Sequence, residues 1–420
     1  MWQGGPGRIH PVVERMARQH IDADILVVGG GLNGLPFAIA VAAAGLKVVV
    51  LEREEPSHLL DAEFDGRVSA IAHASRNLLR AAGVWDYVRE KEPMLDIRIT
   101  DGPSKCFLHY DHRQLGDEPF GHMVENRHLR EALYRRAGEI PTLCVMAPAE
   151  YEEIIRSSSG VSAVLSGGGR ISARLLVAAD GRNSPLRQSA GIKTVGWSYD
   201  QMGIVCTVAH EIPHHGVAQE RFLKPGPFAI LPMTGNRSSL VWTEPTERAK
   251  VIMELPEAEF QREMAKRFGD YLGALKVVGP RWSYPLTLHQ SESYMAERLA
   301  LIGDAAHGMH PIAGQGLNLG LRDVAALAEV VIDAARLGQD IGGAMPLEDY
   351  QRWRRFDSIT LLAITDGLNR LFTNDLAPVR LARDIGLAAV NKMPRLKGFF
   401  MEHARGTVGK MPRLLRGEML

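Results

Sequence analysis

The chain has 420 residues, 45% hydrophobic and 23% charged, with 49 basic and 49 acidic side chains and a formal net charge of zero. Such a chain holds two or three lobes around a large core, and the balanced charge removes the electrostatic footprint of a nucleic-acid binder. Cys106, Cys144 and Cys206 are far apart and odd in number, which fits a reducing compartment and excludes a disulfide framework.

The first 21 residues lack an apolar core and carry Glu14 among the arginines, so they read as a ragged extension and not as a secretory signal. The apolar stretch Ile25 to Leu51 is interrupted by five glycines, Pro36, Asn33 and Lys47, whereas a membrane-spanning helix needs about 20 predominantly apolar residues. It resolves instead into a compact βαβ unit. Asp24 to Gly29 and Lys47 to Glu52 are predicted as buried parallel strands because they are apolar without alternation, with a helix over Leu32 to Ala44 between them. Helices are expected over Ser75 to Val88 and from Leu129 to Arg136, and strands over Leu95 to Thr100 and Leu175 to Ala179.

From about Asp200 the texture changes. Gly203–Val208, Ala218–Leu223, Pro227–Leu231 and Ser238–Thr243 are short runs between Gly, Pro and polar turns, the pattern of an antiparallel sheet. An amphipathic helix follows over Glu247 to Phe268, with a break at Pro256, then a strand over Val277 to Leu288. Leu299 to Ile302 restores the buried parallel texture and Gly316 to Leu337 is a long helix. The remainder is helical and basic, broken at Pro378, Pro394 and Pro412.

Three glycine-bearing segments carry the chemistry. Gly29, Gly31 and Gly34 lie between a strand and a helix, the context in which this spacing binds a pyrophosphate. Gly29 permits the tight turn, Gly31 lets backbone approach the phosphates, and Gly34 allows close helix–strand packing. The amides of the helix start attract the anion, and Glu52, ending the next strand, is placed for the adenosine ribose hydroxyls. Asp180-Gly181 follows a second buried strand with Arg182 and Asn183 beyond; taken alone, it is an ordinary turn dipeptide. Gly303-Asp304 repeats the arrangement, and its carboxylate suits the hydroxyls of a polyol chain. The run Pro311-Ile-Ala-Gly314-Gln315-Gly316-Leu317-Asn318 then enters a helix whose positive end suits an electron-rich pyrimidine edge. One such segment means a dinucleotide; all three in this order mean a flavin.

These segments, with Asp65-Gly-Arg67-Val-Ser-Ala-Ile71, Gly226-Pro-Phe-Ala-Ile-Leu-Pro232 and Thr365-Asp-Gly-Leu-Asn-Arg-Leu-Phe372, resemble the flavoprotein aromatic hydroxylases, and among them the ubiquinone-biosynthesis ring hydroxylases. The likeness runs from about Ala23 to Gly417. It implies an α/β fold of the p-hydroxybenzoate-hydroxylase type. A discontinuous Rossmann-type FAD domain (22–100, 120–195 and 295–345) would join an antiparallel-sheet substrate domain (101–119 and 196–294) and a C-terminal basic helical region (346–420), behind an extension at 1–21. By the same resemblance Gly29, Gly31, Gly34, Glu52 and Arg53 hold the ADP half of FAD, and Arg67 lines the cofactor. Asp180-Gly181 serves FAD and the nicotinamide donor, and Gly303 and Asp304 the ribityl chain; Pro311 and Gly314 to Asn318 lie by the isoalloxazine ring. Asn126 stands where relatives usually carry a longer Arg or Gln, which weakens a direct cofactor contact there.

The implied reaction has NAD(P)H reduce FAD; dioxygen then forms a flavin hydroperoxide that hydroxylates a lipophilic polyprenyl phenol. Alternatives are hydroxylation of a small soluble aromatic and a non-catalytic flavin-binding scaffold of a biosynthetic complex. Phe228, Ile230, Leu231 and Pro232 are candidates for substrate contact, because in the family this sheet roofs the ring pocket. His307 is a candidate base, weighed against a buried hydrogen-bonded spacer. His210, His214 and His215 suggest zinc, but Pro213 breaks any helical pair and a solvent-exposed turn explains them better, leaving no metal site expected. Leu376 to Leu420 holds nine Lys or Arg against three acids. Stems covering core explain this, as does a surface for anionic lipid that would place a cytoplasmic protein peripherally on the inner face of the membrane or in a ubiquinone-biosynthesis complex.

Overall fold

The computed structural model describes residues 20–60, 67–102, 107–308, 314–373 and 390–420, with Arg383 and Gly386. At its centre is a six-stranded sheet in the order Met295–Ala296, Leu299–Leu301, Leu175–Ala178, Ile25–Val28, Val48–Leu51, Leu143–Met146. All neighbours run parallel except the first pair. Four of these strands are buried at every position, so apolar residues run through them without a break. Helix Gly34–Ala43 packs on this sheet, and helix Gly316–Arg336 lies against both Gly34–Ala43 and the 30-residue helix Ala344–Thr373.

A second, eight-stranded sheet has the order His307–Gly308, Leu275–Ser291, Thr194–His210, Arg237–Pro245, Gly226–Met233, Val217–Leu223, Asp96–Asp101, Phe107–Asp111. Its back face buries Phe228, Ile230, Leu240 and Trp242 against Ile252, Phe260, Met264 and Phe268. Those partners come from helices Thr246–Glu254 and Glu257–Phe268, separated at Pro256 as expected. Its front face borders a cleft.

Several boundaries differ from the sequence reading. Thr194–His210 and Leu275–Ser291 are 17 residues each, far longer than the apolar runs they contain. Their outer parts, including Thr194 to Ser198 paired with Thr287 to Ser291, are held by ladder hydrogen bonds between mainly polar or exposed residues, which carry little hydrophobic signal. Asp96–Asp101 pairs with Val217–Leu223, so the boundary expected at residue 100 falls inside a strand of the second sheet. The helix expected over Ser75 to Val88 ends at Ala81, where Gly83 takes φ of 74° before a short turn at Trp85–Tyr87. His20–Asp22 joins Arg170–Ser172 as a parallel strand, so the end of the expected extension is built into a sheet. Among the described residues no helix is long and apolar enough to cross a membrane.

The histidine cluster is not the exposed turn that was expected. His210 and His214 are buried. The ring nitrogens of His210 meet Ile212 O and Ser238 Oγ, and those of His214 meet Met233 O and the Gly216 amide. Only His215 stays outside, on a positive φ of 52°.

One buried ionic group ties the lobes' elements together. Asp323, on helix Gly316–Arg336, is fully buried. Its Oδ2 accepts from His307 Nε2 (2.6 Å) and the Gly303 amide (3.0 Å), and its Oδ1 from Arg354 Nε (2.8 Å). Burial opposes its ionisation, but His307 and Arg354 outweigh that and hold the carboxyl below its usual value. Truncation would leave His307 without its carboxylate in the core, and Arg354 with only Asp357 and Ser358 to answer its charge. We expect Asp323→Ala to lose about 3–5 kcal/mol by urea denaturation at neutral pH. Because a depressed carboxyl contributes only while ionised, the gap between wild type and variant should narrow below about pH 4.

Candidate active site

Ile25–Val28 ends in Gly29, at φ of 103°. A side chain on Gly29 would overlap the carbonyl of Ala179, and one on Gly34 would overlap the carbonyl of Gly29. Both positions therefore hold the turn closed. Gly31 is the opposite case: nothing lies within 4 Å of where its Cβ would stand. With Leu32 and Asn33 it lines the cleft at the start of helix Gly34–Ala43, where first-turn amides and the positive helix end create an anion cradle. Glu52 is drawn to this turn, accepting from the amides of Gly30 (2.7 Å) and Glu54 (2.9 Å). Arg53 is exposed beside Glu54 and does not line the cleft.

The second and third glycine turns meet the first. Gly181 (φ 84°) and Arg182 line the cleft, and Arg182 donates to Thr287 Oγ1 at 2.6 Å. Asp180 lies behind them, its Oδ2 accepting from the Leu186 amide, its Oδ1 buried without a hydrogen bond, and its pKa raised by burial. Gly303 (φ 58°) leaves room for the Asn33 side chain, while Asp304 is exposed to the cleft. Gly314, Gln315, Gly316, Leu317 and Asn318 also line it. The Asn318 amide is committed to structure, accepting from Ala72 N and donating to Ala70 O and Gly314 O. Asn126, likewise buried, accepts from Ser69 Oγ at 2.6 Å, and Arg67 stacks over Tyr284. Pro311 lies outside the described residues.

From this end the cleft, about 1010 Å³ in volume, continues across the front of the eight-stranded sheet. Strand alternation decides which residues face it. Leu231 does; Phe228, Ile230 and Pro232 do not, because Phe228 and Ile230 point into the opposite face against Trp242 and Phe260. Expecting contact from Phe228 and Pro232 overlooked that alternate residues of one strand serve different layers. Ala229, beside them, lines the cleft instead. Sequence reasoning also missed Tyr110, Glu220 and Tyr284 on the sheet, and Phe372, Phe399 and Phe400 on the C-terminal helices. For Glu220 the signal was present: Ala218, Glu220 and Phe222 share one phase of an alternating strand.

His307 is 2% exposed, bonded to Asp323 and packed 5.6 Å from the Tyr294 ring. It does not line the cleft. Its geometry is that of the hydrogen-bonded spacer, not of a base within reach of a substrate.

A family of FAD binding domains matches residues 22–354. A ubiquinone hydroxylase of Rhodospirillum rubrum, UbiL, is 53% identical over 94% of this chain and 93% of its own length. The chain belongs to the FAD-dependent ubiquinone-hydroxylase family. The 3-demethoxyubiquinol 3-hydroxylase of Escherichia coli is 34% identical over 91% of this chain and 98% of its own. The human mitochondrial ubiquinone biosynthesis monooxygenase COQ6 is 31% identical over 91% and 92%. Among solved structures, p-nitrophenol 4-monooxygenase PnpA of Pseudomonas putida superposes with a TM-score of 0.74 at 20% identity, covering 93% of this chain and 99% of that one. The fold is accordingly the p-hydroxybenzoate-hydroxylase type, and the cofactor is FAD.

Gly31 and Gly34 separate cofactor binding from folding. Gly34→Ala should lower both the flavin content and the melting temperature of the protein, since its methyl group meets backbone. Gly31→Ala fits the protein without strain and should lower FAD affinity while the flavin-free protein melts unchanged. Flavin absorbance after gel filtration, alongside melting of the stripped protein, measures both.

Proposed function

We propose that the protein is an FAD-dependent monooxygenase that hydroxylates the aromatic ring of a polyprenyl phenol in ubiquinone biosynthesis, with NAD(P)H as electron donor and dioxygen as oxidant. The observation that carries this reading is one continuous cleft, polar and glycine-edged at one end and apolar at the other. Once bound and reduced, FAD supplies the transfer of one oxygen atom from dioxygen to an electron-rich ring carbon.

The chain's own residues do the rest. Gly31 and the start of helix Gly34–Ala43 would receive the pyrophosphate, Glu52 the adenosine ribose and Asp304 the ribityl hydroxyls; Gly181, Arg67 and Asn126 would complete the wall, with Asp180 supporting it from behind. Gly314 to Leu317 would present amides to the ring edge, held in place by the Asn318 clamp. In this reading the FAD lobe is the six-stranded sheet with its helices, and the substrate lobe the eight-stranded sheet. The sheet's apolar front face would orient the phenol and exclude water, and the tail would leave between the sheet and the C-terminal helices. Purified holoprotein given NADPH, isotopically labelled dioxygen and a short-chain prenylated phenol should yield product carrying one labelled oxygen. NADPH oxidation that gives only hydrogen peroxide with every prenylated phenol would sink the reading.

The tail also bears on where the enzyme works. Extracting a polyprenyl chain into water costs about 0.8 kcal/mol per CH2, so we place the cleft mouth against a membrane. Supporting this, Phe356 is 79% and Phe399 47% exposed, with Ile364, Leu371, Met393 and Leu396 also outward on helices Ala344–Thr373 and Pro394–Arg405 or beside them. Leu371, Ile364 and Phe399 line the cleft as well, and Lys392 and Arg395 are exposed alongside. Vesicles containing anionic lipid should capture the protein and release it as salt rises. Phe356→Ser with Phe399→Ser should weaken capture by about tenfold per residue; unchanged partitioning would favour presentation of the substrate by a protein partner.

A further inference from the structure

The substrate end of the cleft holds a carboxyl group that the cofactor does not need. Glu220 stands at the middle of Val217–Leu223. Across the sheet its row runs Leu108, Ile99, Glu220, Ala229, Val241, Val205, each in register with its neighbour on the next strand and each lining the cleft. Along its own strand the neighbours on that face are Ala218 and Phe222, both buried. Five apolar side chains and one acid thus form a continuous stripe.

The fully buried acids of this sheet are answered. Asp101 is paired with Arg383 at 2.7 Å, and Glu244 with Arg267 and the Trp242 indole at 2.8 Å. Among the described residues the Glu220 side chain has neither a hydrogen bond nor an ion pair. A lone carboxylate facing apolar side chains is costly, and its retention calls for a catalytic role or for a water or ligand that answers it. Burial alone, with no charged neighbour contributing, pushes its pKa up to about 7. The surroundings agree: Ala229 faces it from Gly226–Met233, and from Asp96–Asp101 the charge of Asp101 is cancelled by Arg383. Tyr110 comes from Phe107–Asp111, its hydroxyl held protonated by burial. On the helix side Phe372 stacks on Phe222 at 3.8 Å, and His403 lines the cleft beyond.

Ring hydroxylation makes a specific demand on this wall. An electrophilic oxygen attacks a phenolate far faster than a phenol, because the charged oxygen feeds electron density into the ortho and para carbons. A phenol hydroxyl with a pKa of about 10 is protonated at neutral pH, so a base poised near neutrality is the matching group. We infer that Glu220 is the catalytic base of the hydroxylation, its carboxylate receiving the substrate's phenol O–H and accepting that proton as oxygen is transferred to the ring. This role rests on the aromatic-hydroxylase function.

The step balances. The phenol O–H bond breaks, its proton moves to a Glu220 oxygen, and its electron pair enters the ring. A C–O bond forms to one oxygen atom of dioxygen, while the other leaves as water with two electrons from NAD(P)H. The ring carbon then loses its hydrogen as a proton, the C–H pair restores aromaticity, and the Glu220 carboxyl returns a proton to the phenol oxygen. Ring oxidation supplies two electrons and NAD(P)H two, together the four that reduce dioxygen.

The test uses full-length holoprotein, ortho-prenylphenol and a more acidic, ring-fluorinated analogue. In Glu220→Gln, coupled hydroxylation should fall by about a hundredfold or more, while the flavin spectrum and flavin reduction by NADPH stay intact. In wild type the coupled rate should rise with pH through about 7, since the base acts only when deprotonated; the variant should lose that limb. The fluorinated probe should restore part of the variant's rate, because it ionises without help, and Glu220→Asp should rescue part of the rate with the parent probe. An unchanged coupled rate and pH profile in Glu220→Gln would overturn the role. A second arm needs no turnover: with oxidised FAD, Glu220→Leu should bind ortho-prenylphenol about tenfold more weakly, and equal affinity would overturn the contact. If wild type makes no hydroxylated product at all, the hydroxylase function fails and the affinity comparison still decides whether Glu220 receives a phenol.

Discussion

A charged oxygen pair sealed inside the protein sets the geometry on which the site depends. Asp323 cannot be left unanswered at full burial, so His307, the Gly303 amide and Arg354 must all converge on it. These donors come from the end of strand Leu299–Leu301, from the segment beyond it and from helix Ala344–Thr373. Satisfying one carboxylate therefore fixes a turn and two long helices relative to each other. Tyr350, on the same helix as Arg354, adds a hydrogen bond to Leu301 O at 2.7 Å. Asp304 and the Gly314–Asn318 run flank this knot, and their placement along the cleft follows from it.

The eight-stranded sheet meets a different constraint, since both of its faces are in use. Its back is closed by two amphipathic helices, and the aromatic side chains there interlock: Trp242 contacts Phe228 and Phe260 edge-on or tilted. Over the front the described C-terminal helices form an opposing wall across the cleft. The Phe222–Phe372 stack and the Asp101–Arg383 ion pair join that wall to the sheet. An apolar chamber results, continuous with the nucleotide turn and lined in part by the outward-facing Phe399, Ile364 and Leu371.

Much of the nucleotide end was legible in the residue order, because its determinants are local. Gly29 and Gly34 are required by contacts within or next to a single turn, and buried parallel strands announce themselves as unbroken apolar runs. The substrate end was legible in outline only. Assigning Phe228 and Leu231 to one pocket ignored a phase that register alone resolves, and the long strands Thr194–His210 and Leu275–Ser291 owe half their length to pairing partners about 90 residues away. The basic tail changes meaning in three dimensions too. Arg413 pairs with Glu329 and Asp333, Arg416 with Glu418, and Arg383 with Asp101, so much of its charge is answered within the chain.

By themselves the residues determined the βαβ unit, the order of the three glycine turns and the flavin chemistry they imply, since each rests on short-range sterics and hydrogen bonding. Tertiary structure alone decided that His307 serves Asp323 and not a substrate, that Leu231 faces the cleft while Phe228 does not, and that among the described residues the Glu220 side chain meets no partner in an apolar wall. The physical reason is common to all three. Burial and pairing belong to the assembled neighbourhood of a side chain, and strands distant along the chain supply that neighbourhood.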